Sequence, residues 1–431
     1  MNVAVNRTPA EAAYIGAGAL VASDRKRREA YEQFIAKGLP HRRMEDWRWT
    51  DLRQIINTAF PPALAPSAPV MDKNLIAQSP FYSIVRARLV LVDGLFMPGL
   101  STLPASGEVE IASISDMMPP WLSGVLGTGS GHADDPILSM NTAFMAGGVG
   151  IRIAAAATVE TPIEIVSIVT KGEPRTLAGR VVLVVEDGAS AAIIETHLGA
   201  PGAYVNSSVT EAFVGANARL DRLKVQLDGE QAIHLANCHV QLKEGAILRD
   251  CTVTQGGATT RQQGFITFAG SHADAKIAGA YLLRGKQHCD TRLVVDHRVP
   301  NCISREVFKC IIDEAARGIF QGKVIVQRDA QKTDGKQSSH GLLLSPTAEF
   351  DAKPELEIYA DDVVCGHGAT AGDLDEDLVF YLRTRGIPLR EARALLVSAF
   401  AAEAFEDIAH DQIRDRLEQL SREWLQRRIE Q

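Results

Sequence analysis

The sequence predicts a mainly β protein, with a right-handed parallel β-helix core flanked by N-terminal and C-terminal α-helical regions. Three observations predict it. Between about residues 140 and 365, helical spacing gives way to short alternating runs such as "GIRIA", "PIEIVSIV", "VVLVVE", "LKVQL" and "HVQL", which have the period-2 patterning and β-branched content of strands. A glycine-centred unit recurs there as "DGAS", "VGAN", "EGAI" and "AGSH", with Gly188, Gly215, Gly245 and Gly270 stepping by 27, 30 and 25 residues. These long runs also lack tight Asn-Gly hairpin turns, which favours stacked coils over a β-sandwich, the alternative with recurring turn signals.

Each element follows from local patterning. Residues 1–75 read as an N-terminal helical region and linker, helical over 11–60, with Tyr31, Phe34 and Ile35 on one apolar stripe. Gly38 and Pro40 punctuate "KGLPHRRMEDWRWTDL", which sets two tryptophans among charges, and the four prolines of "PPALAPSAPV" (61–70) make a linker. Residues 76–140 are a transition segment and 141–367 the β-helix core. The repeated glycine serves a corner where φ is positive or where crowding forbids a side chain. Residues 368–431 form a C-terminal helical domain. Its first helix, "DLDEDLVFYLRTRGIP", has an Asp373 cap, an acidic first turn, Gly386 at its end and Pro388 beyond. Ile413, Leu417, Leu420 and Trp424 then mark one stripe of a last amphipathic helix. Helices at both ends of the stack are expected to cover its open edges.

Composition narrows the function. The 431 residues suffice for two or three domains, and 46% hydrophobic with 23% charged content is ordinary for a soluble protein. A net charge of −8 without a long basic run argues against nucleic acid as a main partner. No stretch reaches the ~18–20 apolar residues of a membrane span. "AYIGAGALVA" (13–22) ends in small residues, but Glu11 before it and "DRKRREAYEQF" after it argue against a signal peptide. The cysteines at 238, 251, 289, 302, 310 and 365 form no C-x-x-C pair, which suits reduced thiols and a cytoplasmic location.

Few motifs carry chemistry. "GAYLLRGKQ" (279–287) approximates a phosphate-binding loop, but five residues separate its glycines and Gln287 follows the lysine, so ATP hydrolysis by this chain is not expected. No G-x-S-x-G elbow is present. "KQHCDTRLVVDHRVPNCISREVFKC" (286–310) gathers three cysteines with His288 and His297, either a metal cluster or buried strand residues without regular ligand spacing. Lys332 and Asp334 read as a charge ladder between coils. "DDVVCGHGATAGDLDED" (361–377) is more pointed. On an extended strand Cys365 and His367 share one face, roughly 6.5–7 Å apart between Cα atoms. Thiolate and imidazole suit iron, zinc or an iron–sulfur cluster, yet structural zinc needs about four protein ligands and this stretch offers two. A buried cysteine beside a hydrogen-bonded histidine is the plainer alternative.

The stretches "QHCD", "HRVPNCIS", "AQKTDGKQ" and "LLLSPTAEFDAKPELEIYADDVVCGHGATAGDLDEDLVFYLRTRGI" resemble the SufB/SufD family of iron–sulfur cluster assembly proteins, and "EDWRWTDL" with the overall length resembles its SufD branch. The resemblance implies a non-catalytic scaffold subunit that pairs with SufB through the β-helix and binds the ATPase SufC through its C-terminal helices. It places His367 and its neighbour Cys365 at the SufB–SufD interface. There they would share a transient cluster of iron and sulfide, whose other ligands come from SufB. No cofactor bound tightly to the isolated chain is expected; flavin is a candidate within the complex. A free β-helix face leaves the isolated chain open to homodimerisation. For SufC docking, Leu395, Leu396, Phe400 and Phe405 are the candidates. His340 and Cys310 depart from the family pattern. Two other readings are a carbohydrate-active β-helix enzyme and a structural zinc protein using Cys365, His367 and residues from 288–310.

Overall fold

The computed structural model describes residues 7–21, 24–63, 73–104, 107–114, 117–129 and 135–429. Its core is built from strands of about ten residues, two per turn of chain. From β4 (Gly147–Ile153) to β19 (Val364–Gly372) they alternate between two parallel sheets, odd-numbered strands in one and even-numbered in the other. Each strand pairs with the strand two further along, in register except for a shift between Val159 and Ile163 of β5, giving a parallel β-helix of about eight turns. In-register stacking lays like side chains over one another. The inward face of the even sheet accordingly stacks buried Ile151, Leu183, Ala212, Val240, Ile266, Val295 and Val324 in one column and Val214, Leu242 and Phe268 in the next. Each Val, Leu, Ile or Phe among them contributes roughly 1.5–3 kcal/mol by leaving water.

The recurring glycine answers two needs. Gly188 and Gly245 hold positive φ at coil corners, a conformation that Asn217 and His272 adopt in the alternate coils. Gly215 and Gly270 have ordinary φ but no room, since a Cβ on Gly270 would overlap the backbone of Glu244 in the coil below.

Midway along the lumen the column turns polar. Arg222 bonds Glu195 at 2.6 Å and Asp250 at 2.8 Å, all three buried. Beside them Lys224 Nζ lies 2.9 Å from His234 Nε2, and His234 Nδ1 lies 2.9 Å from Asp228. Burial and the neighbouring Lys224 push His234 down, so it is neutral, donating from Nδ1 to Asp228 and accepting from Lys224. Burial, with Arg222 adding to it, lowers Lys224 to about 8.

The N-terminal region is helical but not one helix over 11–60. It breaks into α1 (Pro9–Gly16), α2 (Arg25–Lys37) and the short α3 (Leu52–Ile55), each with a side-chain cap, from Thr8, Asp24 and Asp51. Gly38 at φ +72 ends α2, which the chain needs in order to turn towards the core. Of the proline-rich linker 61–70, residues 64–70 lie outside the described residues, and Pro62 bridges Thr176. The transition segment already contributes to the stack: β1 (Ala87–Val92) pairs parallel with β5 (Thr158–Val169), and β3 (Val109–Ser113) pairs antiparallel with β4. At the far end β19 runs to Gly372, past the boundary at 367 read from the sequence.

The helices do not cap the ends of the stack, contrary to the sequence expectation. They lie on its flanks. N-terminal Tyr14, Phe34, Trp47 and Leu52 pack with Val205, Ile233 and Leu235 on the outer face of the even sheet. The C-terminal α7 (Leu389–Ala402) and α8 (Asp411–Ile429) bury Val397, Ile413, Leu417, Leu420 and Trp424 against Leu223, Val253, Leu282 and Ile311 on the odd sheet. Outward strand residues in the middle coils are apolar and demand this cover. Those of the last coil are glycine or polar apart from Val364, and no helix covers them.

Candidate functional site

The terminal coil consists of β18 (Glu349–Ile358), a bend at 361–362, and β19. Each strand is the last of its sheet, so both present one edge of unpaired backbone groups. Glycines at 366, 368 and 372 have nothing within 4 Å of a Cβ position, so the β19 edge is bare.

Alternation fixes where the site residues point. Gly335 of β17 (Asp334–Leu343) pairs with Cys365, and a Cβ built on Gly335 would meet Ser304, Cys365 Sγ and Val324 of the opposite sheet, so this face is the lumen. Cys365 and His367 therefore share the inner face, as the spacing predicts. Cys365 is half-buried against the core; His367 is exposed because no further coil covers it. Burial raises the Cys365 thiol, Asp334 and Glu306 push the same way, and the Gly335 backbone N–H opposes them. A thiol held up in this manner stays protonated until a cation or partner charge arrives.

Below the pair the lumen is unusually polar. Strand register stacks Glu306, Gln337 and His367 in one column and Ser304, Gly335 and Cys365 in the next. Glu306, Gln337 and Ser339 are buried, and both Glu306 oxygens, both Gln337 amide atoms and the Ser339 hydroxyl have no hydrogen-bond partner. Burial pushes Glu306 up to about 8. Composition offered no sign of this column; strand register was needed to see it.

The other candidates separate clearly. Cys289, Cys302 and Cys310 are buried free thiols, His288 bonds Thr50 at 2.9 Å, and His297 bonds Ser304 at 3.1 Å while stacking on Phe268. They are core residues. Among the described residues no group of three or more His, Cys, Asp or Glu is placed to hold a metal ion, which removes the ligand set a structural zinc would need. Lys332 pairs with Asp362 in the next coil and Asp334 with Arg305 in the previous one at 2.5 Å, so the charge ladder is present, though Lys332 sits at a corner with φ +64. A cleft of about 460 Å³ opens between corner loops and α8, but its Asp228 is held by Tyr204, Gln226 and His234, and its Glu314 by the Gly285 N–H.

In the C-terminal domain the cap of α6 (Glu376–Thr384) is Asp375, accepting from Asp377 and Leu378, while Asp373 accepts from Leu374. Leu395 is exposed, Leu396 half-buried, and Phe400 covers the Lys309 ammonium 4.8 Å from its ring centre. Phe405 is fully buried against the odd sheet, so its side chain is not available at the surface. The exposed apolar groups of α6 and α7 are instead Leu378, Phe380, Tyr381, Leu389 and Leu395, with Phe380 68% exposed. The signal was present in "DLVFYL", where Val379 is buried and Leu382 half-buried while Leu378, Phe380 and Tyr381 stay exposed.

The "EDWRWT" segment has a structural job. Trp47 lies 4.5 Å from the Arg261 guanidinium, Asp46 pairs with Arg292 at 3.0 Å, Thr50 donates to Asp290 at 2.5 Å, and Glu45 reaches Lys353 at 3.3 Å. It straps the N-terminal region across successive coils to the terminal one.

The fold and site define a class: a β-helical protein whose last coil is open and carries a Cys–His pair. The chain matches the family model described as "SUF system FeS cluster assembly, SufBD core domain" over residues 168–400, and the "SufBD protein N-terminal region" over 10–165. It belongs to the SufBD family of iron–sulfur cluster assembly proteins. It is 31% identical to a SufBD family protein of Synechocystis, slr0076, covering 91% of this chain and 89% of that one, and 29% identical to Escherichia coli SufD, covering 90% and 89%. Arabidopsis thaliana ABCI7, a chloroplastic protein, is 33% identical over 55% of this chain and 50% of its own. No described helix is long and apolar enough to cross a membrane.

Proposed function

We propose that this chain is the SufD-type scaffold subunit of a SufB–SufC–SufD assembly, acting in the cytoplasm. Its terminal coil pairs edge to edge with a SufB-type partner and presents His367, with Cys365, to an iron–sulfur cluster under construction. The open coil carries this reading: two free sheet edges flank a Cys–His pair, and two ligands alone cannot retain a metal. The incoming iron and sulfide are cargo, and a partner supplying the remaining ligands would release them on separating. Without that partner the same edges favour pairing of two copies.

The ATPase is the partner SufC, docked on α6 and α7. The apolar groups supporting this are Leu378, Phe380, Tyr381, Leu389 and Leu395, with Leu396 and Phe400 at their margin. Flavin, if the complex carries it, is assigned to no residue of this chain. Replacing both Phe380 and Tyr381 with serine is expected to weaken SufC binding at least tenfold with little change in melting temperature, because both side chains are already in water. Titration calorimetry with cognate SufC checks this.

The central test is His367→Ala in the complex co-purified with cognate SufB- and SufC-type partners. Folding and assembly should be unchanged, because His367 is exposed and packs on nothing in the core, while bound iron and sulfide fall severalfold. Wild-type iron content in that complex would defeat the proposal.

A further inference from the structure

Buried polar atoms without partners cost about 1–3 kcal/mol each, and native folds tolerate few of them. Here five gather at one place, on Glu306, Gln337 and Ser339, in the two coils beneath His367. The glutamine is the central member. It is 3% exposed, lies one strand spacing (about 4.8 Å) below His367 on the same inward face, and neither amide atom is bonded. The lumen is shaped to admit it, for a Cβ on Gly322 of the facing strand would overlap the Gln337 amide. One strand deeper lies Glu306, fully buried beside the Ser304 hydroxyl.

An imidazole that binds a metal through one nitrogen needs an acceptor for the N–H of the other, and that acceptor fixes its tautomer and ring plane. Exposed on its strand, His367 has no hydrogen-bond partner among the described contacts other than its backbone ladder. Gln337 is the side chain directly beneath it with a free carbonyl oxygen. We infer that Gln337 is a positioning residue for His367: as iron binds one imidazole nitrogen, the amide oxygen of Gln337 accepts the proton-bearing other, with Glu306 behind it as the next polar group in the column. The inference rests on the role of His367 proposed above. It gives a use for a buried amide whose polar atoms have no partner in the free chain.

The test compares Gln337→Met, which keeps length without polarity, with Gln337→Glu, which keeps an acceptor, both in the complex with cognate SufB- and SufC-type partners beside His367→Ala. Ferrous iron and sulfide content and the melting temperature are read for each. Gln337→Met is expected to lose iron about 10-fold or more while its melting temperature holds or rises, since an unpaired buried group has been removed. Gln337→Glu should restore most of the iron. A merely structural glutamine would give the opposite pairing, with stability and iron falling together and no rescue by glutamate; that result overturns the inference. So does full iron content in Gln337→Met when His367→Ala has lost it. Full iron content in both variants would instead defeat the parent reading of His367.

Discussion

Arg222→Met is expected to destabilise the fold by about 3–5 kcal/mol, the largest effect of any single replacement considered for this chain. Arg222 is buried with Glu195 at 2.6 Å and Asp250 at 2.8 Å, and Thr210 adds a hydrogen bond to Glu195 at 2.8 Å. Removing the guanidinium leaves two carboxylates inside the β-helix, Glu195 keeping the Thr210 hydroxyl and the nearby Lys224 ammonium and Asp250 losing its ion-pair partner. Their charge cannot reach water, and each must protonate or draw solvent into the lumen. The cost comes from the orphaned partners rather than from the strength of the pair. Neutralising them should therefore recover most of the loss: Glu195→Gln with Asp250→Asn in the Arg222→Met background is expected to be markedly more stable than Arg222→Met alone. Equilibrium denaturant unfolding of the three proteins checks this. Equal stability of the single and triple variants would show that Arg222 matters by packing alone.

That cluster also shows what could be read in the sequence. The strands of "LKVQL" and "HVQL" are legible because alternation is a local property, and so is the shared inward face of Cys365 and His367, which needs only a strand. The C-terminal stripe of Ile413, Leu417, Leu420 and Trp424 is likewise a matter of spacing. By contrast, alternation cannot say whether an alternate residue faces the lumen or a covering helix, because here both faces are buried. Polar Arg222, Lys224 and Gln226 line the interior while apolar Leu223 and Val225 face the C-terminal helices. The column from Glu306 through Gln337 to His367 joins residues about thirty positions apart and appears only when coil lengths fix the register. Helix placement was illegible for a similar reason: whether a helix caps an end or lies on a flank depends on which strands expose apolar residues outward. Phe405 illustrates the consequence, since an apolar residue in a helical run suits a docking surface and a core equally well until the odd sheet is seen to cover it.

Glu306→Gln is expected to stabilise the protein by about 3 kcal/mol at pH 7, an effect that vanishes on acidification. The carboxyl is fully buried, and burial raises it from its ordinary 4.5 to about 8 against the opposing pull of the Ser304 hydroxyl and Arg305. A carboxyl whose folded value lies above its unfolded one binds more protons in the folded state. Its folded form is therefore unpenalised below pH 4.5, loses stability as pH rises from 4.5 towards 8, and carries the full penalty above that. Glutamine has the same shape and never ionises, so the stability gap between variant and wild type should be near zero at pH 4.5, grow through neutrality and level off above pH 8. Buried histidines oppose this trend in the wild type: burial holds His297 at about 4, so stability is lost as pH falls from its unfolded value of 6.5 towards 4. That contribution is common to both proteins and cancels in the difference. Melting temperatures across pH 5–8.5 provide the check, and a gap independent of pH would mean that Glu306 finds a partner in solution and does not titrate there.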